Sequence, residues 1–326
     1  MIKEVAKHIF RLEIPLPQTP LKRLNSYYIQ GKERDLLIDT GFNLPESRES
    51  LRTCLNQLGS KEERRDILIT HLHSDHSGLV GEFAGPGSRI YMSQVDLGLL
   101  KKIVSHTMFQ SMDSRYLQEG FPADQVKEFA KDSPARVTSV QKIDERFIPL
   151  SDGDQIQNGT YSLKAIWVPG HTPGNTMFWM EENGIMFTGD HILFDISPNI
   201  TAWDGMEDSL GSYLESLKKA REYPVKLALP GHRESGDYQK RIDEILLHHK
   251  NRLQLAQDIV SQNPGLNGYE IAGRMKWKLN SESWEDAPIY SKWFALGECL
   301  SHLDHLRALG RIKRIQEGES YVYSQM

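Results

Sequence analysis

The sequence predicts an α/β protein of stacked strand and helix layers, followed by a smaller, mainly helical C-terminal unit. Three observations carry this. Apolar runs with strand character alternate with amphipathic stretches over residues 1–239, several of those runs stop at a Gly-flanked His or Asp, and from residue 240 the pattern changes to three helices and a hairpin. Such alternation is the mark of layered α and β structure. A chain of 326 residues also fits about two domains.

The elements follow in order. IFRLEIPL and SYYIQ read as strands, and ERDLLIDTG is a buried run ending in a glycine turn. Residues 45–58 form a helix, with Pro45 near its start and Leu51, Cys54, Leu55 and Leu58 on one face. RRDILITHLHSDHSG is a strand, Ile67–Thr70, that runs into a His-rich loop. Helices over VDLGLLKKIVSH and ADQVKEFAKD, joined by MFQSMDSRYLQEGFP, make an insertion at about 94–132. Strands resume in RFIPLSDGDQI, in SLKAIWVPGHTPG and in the pair TMFWMEENGIMFTGD, where ENG signals the turn. DSLGSYLESLKKAREY is a helix with Leu210, Leu214 and Leu217 on one face, and VKLALPGH is a strand ending at a histidine. Three further helices, in RIDEILLHHKNRLQLAQDIVSQ, LNGYEIAGRMKW and SKWFALGECLSHLDHLRALG, precede a hairpin, RIKRIQEGESYVYS. That is the order of a winged-helix domain, so the division is expected at 1–239 and 240–326.

Composition removes several function classes. A net charge of −5 and a pI near 6.2 argue against a dominant nucleic-acid grip. Mean hydropathy is −0.50, and no stretch approaches the roughly 20 apolar residues a membrane helix needs. The charged start, MIKEVAKHIFRLEIPLP, lacks a signal-peptide core, so a cytoplasmic location is expected. Cys54 and Cys299 have no CxxC partner and read as buried apolar residues, neither a disulfide nor a nucleophile.

The chemistry concentrates in THLHSDHSG. His71, His73, Asp75 and His76 fall within six positions at the end of a strand, and imidazole with carboxylate is a ligand set for zinc, iron or manganese. Three more candidates have the same placement: His171 after AIWVPG, Asp190 after GIMFTG and His232 after VKLALPG. One such residue alone is an ordinary turn residue. Four strand ends carrying the same chemistry make a metal centre.

The pattern HxHxDH followed by separate His, Asp and His resembles the metallo-β-lactamase superfamily, over roughly residues 5–235. The resemblance implies an αββα sandwich with the metals at one edge. It implies that His71, His73 and His171 hold one metal, that Asp75, His76 and His232 hold a second, and that Asp190 bridges them. Asp39, in LLIDTG, would support the ligands from behind. Two divalent ions are expected, zinc foremost with iron or manganese as alternatives. The chemistry implied is a metal-bridged hydroxide attacking an ester or thioester carbonyl of a small molecule, with Asp75 orienting the water. Where many relatives carry a histidine in HTPGNT this chain has Asn175, which places Asn175 among candidate substrate contacts.

GDHIL and the helix DSLGSYLESLKK look similar to the glyoxalase II-like branch and to its relatives with C-terminal winged-helix domains. A thioesterase is therefore expected first. An endoribonuclease or phosphodiesterase is the alternative, and an iron-dependent persulfide dioxygenase stands behind both. His106, Met108, Phe109, Met112 and Tyr116 of the insertion would form an apolar lid over the substrate. Arg307, Arg311, Lys313 and Arg314 are the best argument for nucleic acid, yet they are few in a nearly neutral segment. Trp277, Trp284, Tyr290, Trp293 and Phe294 cluster there too, and suit a unit that covers the active site or makes a homodimer. His302 and His305 are too weak a pair to predict another metal site.

Overall fold

The computed structural model describes residues 1–140, 142–278 and 281–326. Strands β1 (Ile2–Ala6), β2 (Ile9–Pro15), β3 (Arg23–Ile29), β4 (Asp35–Ile38), β5 (Arg65–Leu68), β6 (Ile90–Ser93) and β7 (Phe147–Leu150) form one sheet in that order. It is antiparallel from β1 to β4 and parallel from β4 to β7. The switch follows from the connections, because parallel neighbours need a crossover. Helix α1 (Pro45–Gln57) links β4 to β5, and the short α2 (Ser74–Ser77) and α3 (Val80–Phe83) link β5 to β6. Helices α4 (Gln94–Val104), α5 (Met108–Gln118), α6 (Ala123–Asp132) and α7 (Pro134–Val137) lie between β6 and β7.

A second sheet runs β12–β11–β10–β9–β8, built from β8 (Gln155–Gln157), β9 (Ser162–Trp167), β10 (Thr176–Met180), β11 (Ile185–Gly189) and β12 (Leu227–Pro230). Only β11 and β12 pair in parallel, across helix α8 (Ser209–Arg221). The period-two geometry of a strand sorts each residue to a layer. In β4, Leu36 and Ile38 enter the core between the sheets while Leu37 faces the helices outside. In β10, Phe178 and Met180 point inward and Met177 and Trp179 outward, and every residue of the strand is buried. Tyr27 meets Phe187 edge to face across the inner core, 5.3 Å between centroids. The result is four layers, helix, sheet, sheet, helix.

Helices α9 (Tyr238–Gln262), α10 (Gly268–Arg274) and α11 (Ile289–Ala308) precede a hairpin of β13 (Ile312–Glu317) and β14 (Ser320–Gln325). The order is the one expected. The packing adds something the order does not reveal. Ile242, Leu296, Leu300 and Tyr323 share one hydrophobic cluster with Met177, Trp179 and Met186 on the outer face of the second sheet.

Two local expectations change. MIKEVAKH contains a further strand, β1, short and half exposed with Lys3 and Glu4 turned to water, as suits a sheet edge. MFQSMDSRYLQ is helix rather than connector, since Met108, Met112 and Tyr116 recur every four residues along one face.

Candidate metal centre

The polar side chains gather where strands end. β5 runs through Thr70 into His71 and His73, and α2 then turns Asp75 and His76 back toward the same point. His171 follows β9, Asp190 follows β11 and His232 follows β12. All seven predicted ligands converge. Nε2 of His71 and Nε2 of His171 each lie 3.1 Å from Nδ1 of His73. Nε2 of His232 lies 3.3 Å from Asp75 and 3.4 Å from Asp190, and Nε2 of His76 lies 3.5 Å from Asp190. Ligand atoms of His71, His73 and His171 fall within 4.8 Å of one another, as do those of Asp75, His76 and His232, and those of His71, His76 and Asp190.

Each of three imidazoles is held from its far side. Nδ1 of His171 donates to the Asn199 carbonyl (2.9 Å), Nδ1 of His232 to the Arg23 carbonyl (2.7 Å) and Nδ1 of His76 to Asp39 (2.7 Å). In the neutral ring these partners fix the tautomer, so that Nε2 is the atom that turns a lone pair toward the centre. Thr70 donates its hydroxyl to Asp39 (2.7 Å) and stands 3.0 Å from Nδ1 of His71. Asp39 thus braces two imidazoles, as expected of a carboxylate behind the ligands.

The donor set fits a cation. Nε2 of His76, Nε2 of His232 and Oδ1 of Asp190 are buried without a hydrogen-bond partner among the described residues. Such groups are costly unless something pairs them. The charges agree. Burial, reinforced by neighbouring imidazoles, holds His71 well below its usual range, and burial with His171 takes His73 down to about 3. Burial works the same way on His76 and His232, but there the carboxylates win. Asp39, Asp190 and Asp75 lift His76 well above its usual range, and Asp190 with Asp75 lifts His232 to about 10. Burial opposes charge on Asp75 too, yet His76 and His232 bring it down to about 2. The carboxylates call for positive charge at this point.

One supporting residue escaped the sequence reading. Asp96, fully buried in the first turn of α4, accepts from the Leu72 amide (2.9 Å), the Thr172 hydroxyl (2.7 Å) and the Gly174 amide (2.6 Å). Leu72 separates His71 from His73, and Thr172 follows His171. A single carboxylate therefore ties together the two loops that carry these three histidines. Burial raises Asp96 to about 6, with its three donors opposing the rise. Trp203 is a second such residue: its Nε1 donates to the His171 carbonyl (2.9 Å) and its ring stacks on His73.

A cavity of about 350 Å³ opens onto His73, Asp75, His171 and Asp190. Met108, Phe109, Met112 and Tyr116 line it as expected, joined by Phe129 of α6 and by Tyr290, Trp293 and Phe294 of α11. Asn175 does not. It is wholly buried in the turn entering β10, where its amide donates to the Thr172 carbonyl, and its side chain stays away from the cavity. His106 is exposed and outside the lining; Trp277 and Trp284 are also outside it, partly buried against the C-terminal core. His302 faces His249 (3.2 Å) and His305 faces Asp208 (2.8 Å), so the two do not share a point. Of the four basic residues near the hairpin, Arg307 pairs with Asp304 and Arg314 with Glu119, leaving Arg311 and Lys313 exposed.

Residues 21–232 match the family model of the metallo-beta-lactamase superfamily. The chain belongs to that superfamily. It is 27% identical over 217 residues to the acyl-coenzyme A thioesterase MBLAC2 of Homo sapiens, covering 64% of this chain and 73% of that one. It is 28% identical over 209 residues to the atrochrysone carboxyl ACP thioesterase of Aspergillus fumigatus, a match over 64% of this chain but only 38% of that longer protein. The crystal structure of a metallo-beta-lactamase family protein from Thermus thermophilus superimposes with a TM-score of 0.84 at 27% identity, over 99% of this chain and 100% of that one. A beta-lactamase domain protein from Burkholderia ambifaria shares the fold, with a TM-score of 0.85 at 22% identity over 100% of this chain and 94% of that one. This member of the metallo-beta-lactamase superfamily is a hydrolase. No described helix is long and apolar enough to cross a membrane.

Proposed function

We propose that the protein hydrolyses thioesters of small molecules with two metal ions, zinc foremost. His71, His73 and His171 would hold one ion, Asp75, His76 and His232 the other, and Asp190 would lie between them. When bound, such ions supply an activated water and polarise the carbonyl under attack. The observation that carries the reading is an apolar cavity opening directly onto this His and Asp cluster. The names of a human and a fungal relative point the same way.

The chain's own residues favour a thioester over an amide. In the metal-free protein His76 and His232 hold Asp75 near 2 against the opposing effect of burial, so it is a carboxylate that can orient water and brings no proton of its own for a leaving group. A thiolate leaves unaided, because its parent thiol has a pKa of about 8.5. Asp39, Asn199 and the Arg23 carbonyl keep the imidazoles oriented throughout, and the aromatic walls exclude water. The phosphodiester alternative lacks a comparable support: among the described lining residues Arg136 is the only Lys or Arg, and it is paired with Asp113 at 2.6 Å.

Residues 240–326 are, in the same reading, a winged-helix-like unit whose third helix covers the substrate. The test is chelation of the purified protein, followed by zinc, iron or manganese and a panel of thioesters, lactones, phosphodiesters and RNA. Thioester cleavage should vanish on chelation and return with about two ions per chain. Faster cleavage of RNA or phosphodiesters than of any thioester would overturn the reading.

A further inference from the structure

A thioester has two unlike halves. The acyl group can be plain hydrocarbon, whereas biological thiol carriers are chains of amides that end in carboxylates or phosphates. An amide buried without a partner weakens binding by roughly tenfold or more. The cavity beyond the metal centre presents Phe109, Met112, Phe129, Trp293 and Phe294. Arg136, the one Lys or Arg among its described lining residues, is paired with Asp113 and packed 4.4 Å from the Phe109 ring. That wall suits hydrocarbon and offers little to a carrier.

We propose that the cavity seats the acyl group, that this group is apolar and uncharged, and that Trp293 sets how much of it fits. The inference rests on the thioester reading and adds the acyl class to it. Trp293 is held between two rings, stacked on Tyr116 at 4.0 Å and on Phe129 at 4.1 Å, and is nearly fully buried. A ring braced on both faces cannot swing aside, so it is a stop. One turn further along α11, Gly297 sits where a Cβ would come within 2.3 Å of Thr201 and 2.5 Å of the Tyr116 hydroxyl. A glycine inside a long helix is unfavourable for the helix, and here it lets the Tyr116 wall close in. Met112, unbranched and partly buried, is the adaptable part of the lining. The thiol carrier would then leave on the side of the lining that carries Thr19, Pro20 and Leu21, where Pro20 is exposed.

The experiment is a series of acyl thioesters on one carrier, N-acetylcysteamine, from acetyl to dodecanoyl, with succinyl as a charged control. With wild-type enzyme kcat/KM should climb roughly fourfold per methylene until the cavity is filled, and succinyl should lag the butanoyl thioester at least tenfold. Trp293→Leu should move the plateau to longer chains. Met112→Trp should move it to shorter ones, and it tests the idea even if the first variant folds poorly. Equal rates for acetyl and long acyl groups, a preference for succinyl, or a plateau unmoved by Met112→Trp would overturn the proposal. If thioesters are inert while oxygen esters of the same acids show the same chain-length climb, the acyl seat stands and the thioester reading falls.

Discussion

The two ends of the cavity are built by different forces. At the metal end, His76, His171 and His232 are each aimed by a hydrogen bond to a carboxylate or carbonyl, and Asp39 and Asp96 bind the loops that carry the ligands. At the aromatic end Tyr116, Trp293 and Phe129 stack ring on ring. Hydrogen bonds are directional and fail outside a narrow geometry. Apolar burial is non-directional and scales with area. The first end is therefore suited to fixing reacting atoms and the second to being retuned. Substitutions at one end should abolish chemistry, and at the other they should redistribute it among substrates.

The largest expected effect is at the shared ligand. Asp190→Ala should lower metal content at both sites together and reduce kcat by at least about a thousandfold, checked by elemental analysis beside steady-state kinetics. Loss of one ion alone would show that Asp190 is not common to both.

Proton competition comes next. In the metal-free protein His76 and His232 are raised, His232 to about 10, so both carry protons at neutral pH and must lose them to bind a cation. Apparent metal affinity should fall about tenfold per pH unit of acidification for each proton displaced, and metal uptake should release acid. The share of the dependence that His232 contributes should flatten above about pH 10, where that ring is already neutral. Calorimetric titration in buffers of different ionisation enthalpy measures the protons directly. No release at pH 7 would contradict the charge balance described for the centre.

The bracing carboxylates should matter less than the ligands they brace. Asp39→Ala should weaken metal binding about 10- to 100-fold. Asp96→Asn should weaken it about tenfold, because an amide cannot accept from Leu72, Thr172 and Gly174 without turning a donor toward one of them. Competition with a chromophoric chelator resolves both. The smallest effect belongs far from either end. Arg311→Ala and Lys313→Ala, both exposed on the hairpin side, should change thioester turnover less than about twofold. A large drop in RNA cleavage with these variants would blur the contrast and favour the nucleic-acid alternative.

Much of the metal end was legible in the sequence because coordination restricts residue type, and strand ends restrict place. His71, His73, Asp75, His76, His171, Asp190 and His232 satisfy both restrictions at once. Asp96 did not show, although it sits in plain view. Ser93-x-x-Asp96 reads as a helix start, and Ser93 does cap α4 by accepting from the Asp96 amide. That local pattern hides the carboxylate's partners, which lie 24 to 78 residues away. Trp203 lies outside any periodic element, so no pattern marks it. Asn175 misled for the opposite reason: its neighbours belong to a site motif, but the backbone turns its own side chain into the interior. The aromatic end of the cavity was half visible, since aromatic content singled out α11 but could not say which rings would stack.

The hydrophobic cluster common to α9, α11 and the second sheet bears on how the molecule comes apart. Because Ile242, Leu296 and Leu300 close over Met177, Trp179 and Met186, neither group keeps a dry surface without the other. Heating should then produce a single calorimetric transition with equal calorimetric and van't Hoff enthalpies, the signature of one cooperative unit. Shortened versions ending near residue 239 would present that bared face to one another and precipitate. On this view the last quarter of the chain is less an appendage than a load shared by the whole, and a lineage could replace its side chains one at a time more easily than it could discard it.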